Sequence, residues 1–498
     1  MYLPQFHRTE ENDKWWGEGF TEWTAVKAAV PLYSGHKQPK VPLNNNYYNL
    51  LEKETMSHQA ELMKKYGIDG QCFYHYYFKD GKKVLEKPAE NLLKWKEINM
   101  PFCFCWANSS WVRTWSNISN GNVWSDKFEK IEKDSYGRGI LLEQKYGREQ
   151  EWKKHFEYLL PFFNDERYIK IDNKPIFLFF ATNQLFVLHQ MIDYWRELAL
   201  KAGLQGLYFI GMNTANVKNG LDAVLLNAPN MYLNFDKVER IGGICRPNYK
   251  EIWEKILSAS INETGDTYFG AVINYDDTPR RGKNGCSFKN FSLETFADGM
   301  QKLYQKCASL NHEFVFINAW NEWGEGMHLE PDEENGYAYL EAVLNAKTMP
   351  ITNTEIQEYK KEMNQVSQNG NDWKDKWEKS YKMMSCLDKW LLLKEEGKQL
   401  SEYLEKYDVK TVAVYGMGVL GRHLISELSN SNIEIKYIID RRSELHHTKY
   451  DVKSVEDELP CVDAVIITPI ADFDSIYKIL KEKMQCRFFS IEELIGEM

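Results

Sequence analysis

The chain has 498 residues, a net charge of −10 and 43 % hydrophobic residues, which together exclude a single small domain, a disordered chain and a nucleic-acid-binding footprint. Its nine cysteines are scattered without a C-x-x-C pair, so we expect neither a disulfide framework nor a zinc site. No signal peptide is recognised and no apolar run approaches about 18 residues, so we expect a cytoplasmic protein that lacks a membrane span and meets membranes only through its partners.

Residues 1–350 alternate between short apolar runs and amphipathic stretches. Strands are predicted at residues 2–7, 68–77, 101–106, 174–182, 206–213, 221–227, 268–274 and 314–317. Helices are predicted at residues 53–66, 92–98, 149–163, 190–202 and 292–311. About eight strands separated by helices predict a (β/α)8 barrel, with an open doubly wound sheet as the alternative. The chain opens on what looks like the end of a strand, so we expect an N-terminal β segment to be missing.

The last of these strands is followed by a turn that carries two carboxylates. This turn consists of Asn321, Glu322, Trp323, Gly324, Glu325 and Gly326. On a turn, two glutamates three residues apart share one face, and paired carboxylates beside aromatic rings are what glycosidic-bond chemistry needs. We therefore interpret Glu322 and Glu325 as catalytic residues. The alternative is a surface turn with solvated glutamates.

Polar and aromatic side chains also follow the other predicted strands. Because the carboxyl ends of barrel strands meet at one rim, we expect these side chains to lie near the two glutamates. The predicted sugar-binding residues are His7, His75, Tyr76, Trp106, Asn108, Asn274, Asp276, Asn321 and Trp323. Alternatively, His7 and His75 are structural histidines and Asp276 lies in a solvated loop. The three tryptophans of residues 15–23 are either a hydrophobic plug or a sugar platform.

The rest of the chain predicts a linker and a second domain. Residues 351–407 are charged, have helical periodicity and are nearly free of proline and glycine, so we expect a helical linker between a catalytic domain of residues 1–350 and a small domain of residues 408–498.

The small domain is predicted to be Rossmann-like. Its strands are expected at residues 410–415, 435–439 and 464–468. The first strand is followed by a turn with Gly416, Gly418 and Gly421, and the second ends at Asp440. In a dinucleotide fingerprint such glycines admit phosphates and such an acid binds a ribose hydroxyl. The turn predicts either a nucleotide or nucleotide-sugar site, or a docking or ligand-sensing module without a nucleotide.

Several segments together resemble the glycoside hydrolase family 99-like group, also called the WbsX-type group. They are YLPQFH, ENDKWWGEGFTEW, GIDGQCFYHYYF, PFCFCWAN, DDTPRRG and FINAWNEWGEGMHLEPD, and they spread over about residues 1–345. The resemblance implies a (β/α)8 enzyme of bacterial O-antigen or capsule loci with a retaining, two-carboxylate mechanism. It implies that Glu322 assists attack by the sugar's own 2-hydroxyl, and that Glu325 is the general acid and then the base.

WbsX-type members are also described as glycosyltransferases, so three functions stay open. The first is a glycoside hydrolase-like enzyme that cleaves or transfers glycosyl units of a bacterial surface polysaccharide or its lipid-linked precursor. The second is a glycosyltransferase of O-antigen or capsule biosynthesis, and the third is a non-catalytic glycan-binding protein. For the barrel we expect no metal and no cofactor, and we expect one of the two glutamates to have a raised pKa.

Overall fold

The computed structural model describes residues 1–112, 140–214, 217, 220–233, 238–261, 266–349, 372–441 and 449–497. By its internal contacts the chain divides into two compact units. The first unit comprises Met1–Gln144, Arg148–Gln184 and Met191–Gln368, and the second comprises Lys145–Gly147, Leu185–Gln190 and Asn369–Met498. The beginning of the predicted linker, up to residue 371, lies outside the described residues.

The first unit is built on a nine-stranded, mostly parallel sheet. The strands of this part of the chain are β1 (Gln71–Tyr77), β2 (Lys83–Val84), β3 (Phe102–Trp106), β4 (Trp111–Val112), β5 (Ile140–Leu142), β6 (Lys170–Ile171), β7 (Lys174–Phe179), β8 (Tyr208–Met212), β9 (Ala223–Leu226), β10 (Arg240–Ile241), β11 (Ile244–Cys245), β12 (Asp266–Val272), β13 (Val315–Asn318), β14 (Asn321–Glu322) and β15 (Met327–His328). The sheet order is β13–β12–β9–β8–β7–β3–β1–β2, with β6 on β7, and every neighbouring pair from β13 to β1 is parallel.

The first residues of the chain connect the two sides of this sheet. The Tyr2 N–H donates to the Cys72 carbonyl on β1 at 2.8 Å, and the Tyr74 N–H donates back to the Tyr2 carbonyl at 3.0 Å. The Trp320 N–H, just after β13, donates to the Met1 carbonyl at 2.8 Å. The sheet therefore curls so that β13 and β1 share a neighbour. The α/β part of the predicted fold is confirmed, with a curled, mostly parallel sheet, and the (β/α)8 barrel itself stays a prediction.

Helices separate most of the strands. They are α1 (Glu10–Trp16), α2 (Glu22–Ala28), α3 (Lys53–Lys65), α4 (Lys87–Lys94), α5 (Glu149–Phe163), α6 (Leu188–Lys201), α7 (Tyr249–Ser258), α8 (Thr278–Arg281), α9 (Leu293–Ser309) and α10 (Ala338–Thr348). In α9 the Ser292 side chain caps the first turn by accepting the Thr295 N–H at 3.1 Å. Phe296, Met300 and Leu303 recur at helical spacing and are fully buried. Among the described residues, no helix is long and apolar enough to cross a membrane.

The second unit contains a five-stranded parallel sheet of order β18–β17–β16–β19–β20. Its strands are β16 (Thr411–Tyr415), β17 (Glu434–Ile439), β18 (Val452–Lys453), β19 (Ala464–Ile467) and β20 (Arg487–Ser490). Its helices are α11 (Asp372–Glu395), α12 (Leu400–Lys406), α13 (Val419–Leu428), α14 (Phe473–Lys483) and α15 (Ile491–Glu497). Along β16, Val412 and Val414 belong to one hydrophobic cluster and Ala413 and Tyr415 to another, so both faces of the strand are covered. The Rossmann-like assignment of this unit stays a prediction.

Candidate active site

The hairpin after β13 carries both predicted catalytic glutamates. β14 and β15 pair in antiparallel fashion, and a single 3-10 turn, Trp323–Glu325, connects them. The turn ends at Gly326, whose φ of +64° is a left-handed conformation that favours glycine. Glu322 therefore immediately precedes the turn and Glu325 closes it.

One arginine bonds to both glutamates. Arg280 on α8 donates from Nη2 to Glu322 Oε2 at 2.8 Å and from Nη1 to Glu325 Oε1. Its Nε donates to Oε1 of a third carboxylate, Glu22 on α2, at 2.7 Å. The sequence analysis missed Glu22 and Arg280 because their contact joins positions 258 residues apart. The available signal was that the motifs GFTEW and DDTPRRG each carry charge beside the predicted rim.

Burial governs the protonation of this cluster. Burial raises the pKa of Glu322 from 4.5 to about 8, although the charge of Arg280 acts in the opposite direction. The Glu325 side chain keeps 26 % of its surface exposed. Burial alone would lower the pKa of Arg280, but its carboxylate partners outweigh burial and raise it, so the guanidinium remains charged. Because one cation cannot neutralise three carboxylates, a proton on Glu322 at neutral pH relieves the excess negative charge.

Gly324, the first glycine of the turn, leaves room for the ion pair between Glu22 and Arg280. A Cβ at Gly324 would lie 1.9 Å from Glu22 Oε1 and 2.8 Å from Arg280 Nε. Both distances are shorter than non-bonded contacts allow. Gly324 is therefore the position at which the turn can approach the Glu22–Arg280 pair.

Asp276 supports the short helix α8. Its Oδ2 lies 2.7 Å from His36 Nε2 and accepts from Gln38 Nε2 at 3.0 Å. Its Oδ1 accepts from the Thr278 hydroxyl at 2.6 Å. Both oxygens thus have partners within the protein. Asp276 thereby fixes the start of the helix that carries Arg280, and its contact with a sugar stays a prediction.

A buried carboxylate that the sequence analysis overlooked, Glu330, organises the back of the hairpin. Its two oxygens accept hydrogen bonds of 2.7–2.9 Å from the side chains of Tyr48, Gln59, Trp320 and Trp323. The Trp323 ring also stacks on His328 with centroids 3.8 Å apart, and it is fully buried. The Trp323 indole thus packs inside the protein, behind the two glutamates, and its contact with a sugar stays a prediction.

Asn321 is likewise directed into the protein. Its side-chain oxygen accepts the Leu3 N–H at 2.8 Å, and its side-chain nitrogen donates to the Leu3 carbonyl at 3.0 Å. This two-bond pattern imitates a neighbouring strand. Asn321 therefore fastens the hairpin to the N-terminal segment, and its contact with a sugar stays a prediction.

Two tyrosines of β1 lie within electrostatic range of the glutamates. Burial raises the pKa of Tyr76, and the charges of Glu322 and Arg280 also act on it. Burial likewise raises the pKa of Tyr74, with further contributions from Glu322 and Glu325. The structure thus brings Tyr76 to the cluster, and it adds Tyr74, which the sequence analysis omitted. Alternation along a strand was the available signal, because residues two apart share a face.

His75 and Trp106 lie on the other face, against helix α5. The Nε2 atoms of His75 and His155 are 2.8 Å apart, and burial lowers the pKa of His75 to about 3. The Trp106 indole donates to the Tyr77 carbonyl at 3.0 Å, and its ring meets His155 edge-on at 4.9 Å. His75 and Trp106 thus pack against helix α5, and their contacts with a sugar stay a prediction.

The remaining predicted residues have local partners or none. Asn108 exchanges two hydrogen bonds with the Ala181 backbone, at 2.8 and 2.9 Å. Asn274 accepts the Tyr275 N–H at 2.8 Å through its side-chain oxygen. His7 is buried, burial lowers its pKa to about 4, and neither ring nitrogen makes a well-aligned hydrogen bond within the described residues. None of these contacts joins His7, Asn108 or Asn274 to the glutamates.

The tryptophans of the first loop have the environment of a hydrophobic plug. Trp15, Trp16 and Trp23 are 7, 6 and 5 % exposed. The first two belong to one hydrophobic cluster with Tyr76, and the Trp23 indole donates to the Tyr48 carbonyl at 2.8 Å. Rings enclosed in this way offer no open face to a sugar.

The glycine turn of the second unit is largely satisfied by its own residues. Gly416 has a φ of +95°, and a Cβ at Gly421 would lie 1.9 Å from the Gly416 carbonyl oxygen. Asp440 Oδ2 accepts the Met417 N–H at 2.7 Å, so the acid predicted to bind a ribose is bonded to the turn itself. A Cβ at Gly418 would meet nothing within 4 Å, which is space that a phosphate at the start of α13 would require.

The first two thirds of the chain match a known family. The model of the glycosyltransferase WbsX family matches residues 1–343. Two curated relatives, each described as uncharacterized protein WxcX and found in two strains of Xanthomonas campestris pv. campestris, are 31 % identical over 371 residues, which cover 72 % of this chain and 50 % of the relative. The chain therefore spans about half the length of the curated relatives it matches.

Solved structures provide a more distant likeness. A GH99 endo-alpha-mannosidase from Bacteroides thetaiotaomicron matches with a TM-score of 0.42 and 11 % identity, covering 73 % of this chain and 97 % of that one. A glycoside hydrolase-like protein matches with a TM-score of 0.39 and 11 % identity, covering 66 % of this chain and 100 % of that one. The family match extends over more than half of the sequence and includes the hairpin with both glutamates, and on that match the chain belongs to the glycosyltransferase WbsX family.

Proposed function

We propose that the chain is a carbohydrate-active enzyme that breaks or re-forms a glycosidic bond of a bacterial surface polysaccharide or its precursor. The observation that carries this proposal is the pair Glu322 and Glu325, which share one hairpin after the last strand of the sheet and bond to the same Arg280. Glycosidic-bond chemistry needs two carboxyl groups in different protonation states. A buried Glu322 with a raised pKa beside a partly exposed Glu325 supports that division.

The proposed chemistry divides two tasks between the glutamates. One must give a proton to the departing oxygen, and the other must be ionised. The family resemblance makes Glu325 the acid and Glu322 the group that assists the 2-hydroxyl. Since burial leaves the proton on Glu322 in the substrate-free chain, that assignment requires the proton to be redistributed when the sugar binds. The reverse assignment requires no redistribution.

Substrates with activated leaving groups distinguish the two assignments. Such leaving groups need little protonation, so loss of the acid spares their cleavage, whereas loss of the other carboxylate does not. If Glu325 is the acid, Glu325→Gln retains activity on an aryl glycoside with a good leaving group and Glu322→Gln loses it. The opposite pattern assigns the acid to Glu322.

Product analysis tests the proposed function itself. Purified protein is incubated with the host's surface polysaccharide or its lipid-linked precursor, with and without nucleotide sugars, beside Glu325→Gln. Glu61→Gln, an exposed glutamate on α3, is the matched control. Shorter glycans without any donor, absent only in Glu325→Gln, are the result expected of a hydrolase.

A second candidate is transfer from a nucleotide sugar. The open space at Gly418, at the start of α13, favours a nucleotide bound to the second unit. This candidate predicts that glycans lengthen only when a donor is supplied. It also predicts that Gly418→Trp stops this donor-dependent lengthening. A third candidate, a non-catalytic glycan-binding protein, predicts that Glu325→Gln retains every measurable property.

A further inference from the structure

Arg280 contacts three carboxylates through three different nitrogens. Nε bonds to Glu22, Nη1 to Glu325 and Nη2 to Glu322. The Arg280 side chain is only 16 % exposed, so water does little to screen these contacts. A planar guanidinium has fixed donor directions and therefore imposes a spacing on its partners, whereas a lysine ammonium acts as a point charge.

Arg280 is itself held in place from outside the hairpin. The Glu22 side chain is 4 % exposed, and the Glu22 N–H donates to the Gln5 carbonyl at 3.0 Å. The Arg280 N–H donates to the Asp277 carbonyl at 3.0 Å within α8. Gly324 leaves the space that this pair occupies. The arginine is thus fixed by two segments before it reaches either proposed catalytic glutamate.

We infer that Arg280, held by Glu22, is a positioning residue that fixes the spacing of Glu322 and Glu325 and supplies the positive charge that both of them contact. This inference rests on the proposed function of the two glutamates. It explains why a buried cation lies where glycosidic-bond chemistry by itself requires only two carboxyl groups.

Other titratable groups face the same cluster. They are Tyr74 and Tyr76 from β1, the amino group of Met1, and Tyr275 and Asp277 from the segment before α8. Asp277 is paired with Arg281 at 3.1 Å, and tyrosines are neutral below about pH 10. Arg280 is the cation in direct contact with both glutamates, so its removal acts on them most strongly.

The kinetic test compares Arg280→Met and Arg280→Lys with Arg281→Lys. Arg281 is the matched control, because it is the adjacent arginine and is 52 % exposed. In Arg280→Met we expect kcat to fall by about 100-fold or more, KM to change by less than about threefold, and the pH optimum to move upward. Arg280→Lys keeps the positive charge but lacks the fixed donor directions of the guanidinium. We therefore expect an intermediate kcat and a smaller movement of the pH optimum.

A titration tests the same inference without a substrate. In protein labelled with 13C at the glutamate carboxyl carbons, Glu322→Gln and Glu325→Gln identify the two signals. We expect both to titrate at higher pH in Arg280→Met than in the wild type. If Arg280→Met does not fold, Arg280→Lys, which keeps a positive charge at the same position, is titrated instead and is expected to give a smaller shift in the same direction.

The outcomes separate this inference from the proposed function. If Glu325→Gln is inactive while Arg280→Met and Arg280→Lys keep the wild-type kcat, pH optimum and titration curves, the inference alone is overturned. If Glu325→Gln is fully active, the proposed function is overturned and the inference with it. Glutamate signals that titrate at higher pH in Arg280→Met, together with a pH optimum that moves to higher pH in the same variant, support the inference.

Discussion

The carboxylate hairpin and the glycine turn of the second unit both depend on close approach at glycine, but the approaching atoms differ. The atoms that approach Gly324 most closely are charged side-chain atoms of Glu22 and Arg280. The atom that approaches Gly421 most closely is the backbone oxygen of Gly416. A glycine beside charged side chains points to a site, and one packed on its own backbone points to a tight turn.

The acids near the two turns differ in the same way. Glu322 bonds to a side-chain cation, and burial raises its pKa to about 8, as expected of a group that exchanges a proton. Asp440 bonds to the N–H of Met417 within its own turn. The comparison therefore favours chemistry at the hairpin and a structural contribution of the acid at the glycine turn.

The largest expected effect is on folding, at Gly421. Gly421→Ala puts a methyl group 1.9 Å from a backbone oxygen, which cannot move without disturbing the turn after β16. We expect the free energy of unfolding of the second unit to fall by about 3 kcal/mol or more. Denaturant unfolding followed by hydrogen exchange of β16 measures this loss, and an unchanged midpoint would contradict the backbone explanation.

The next effect is on activity, at Gly324. The atom nearest to the added methyl group is the end of the Glu22 side chain, which can swing away at the cost of its bond to Arg280. We expect Gly324→Ala to lose about 100-fold in kcat but only about 1–2 kcal/mol in stability. Steady-state kinetics and thermal unfolding measured on one preparation check this split. If Gly324→Ala and Gly421→Ala lost the same amount of free energy of unfolding, the proposed difference between the two turns would be wrong.

A smaller effect concerns the pH dependence of stability through Glu322. Its pKa is about 8 in the folded chain against 4.5 normally, so between these values the folded chain holds a proton that the unfolded chain releases. Stability from this group is therefore fully present below about pH 4.5 and is lost as pH rises through 8. Glu322→Gln cannot ionise, so relative to the wild type we expect its free energy of unfolding to rise steadily between pH 5 and pH 8 and to change little above that. If the free energies of unfolding of the two proteins changed with pH in parallel, this prediction would be wrong.

The smallest effect is expected at Gly418. Its φ of −65° suits any residue and an added Cβ meets nothing within 4 Å. We expect Gly418→Ala to change the free energy of unfolding by no more than about 0.5 kcal/mol. A loss comparable with that of Gly421→Ala would mean that the turn is tighter than its geometry indicates.

The parallel strands from β1 to β13 were predictable because each is an apolar run between turn residues, whereas the strand predicted at residues 2–7 forms only an isolated bridge at Tyr2. The run at 174–182 became β7, and the predicted helix at 149–163 coincides with α5. The direction of side chains was not predictable in β1. Six of its seven residues are buried, so no alternation of polar and apolar residues shows which of Tyr74, His75 and Tyr76 faces the carboxylates.

The candidate site was predictable only where its residues are close in sequence. Glu322 and Glu325 form one motif, and their shared hairpin follows from the glycines beside them. Arg280 and Glu22 come from separate segments, and although both motifs carry charge beside the predicted rim, nothing in one sequence pairs them with each other. The contact of Trp323 with Glu330 was not predictable either, because it forms only when the hairpin folds back on itself.

The central claim is that Glu322 and Glu325 perform glycosidic-bond chemistry. The most direct test is the rate of glycan cleavage or transfer by Glu322→Gln and Glu325→Gln on the host polysaccharide, beside the wild type and Glu61→Gln. The account predicts that each site variant loses about 100-fold or more while remaining folded, and that Glu61→Gln keeps the wild-type rate. Wild-type rates in both site variants would contradict it.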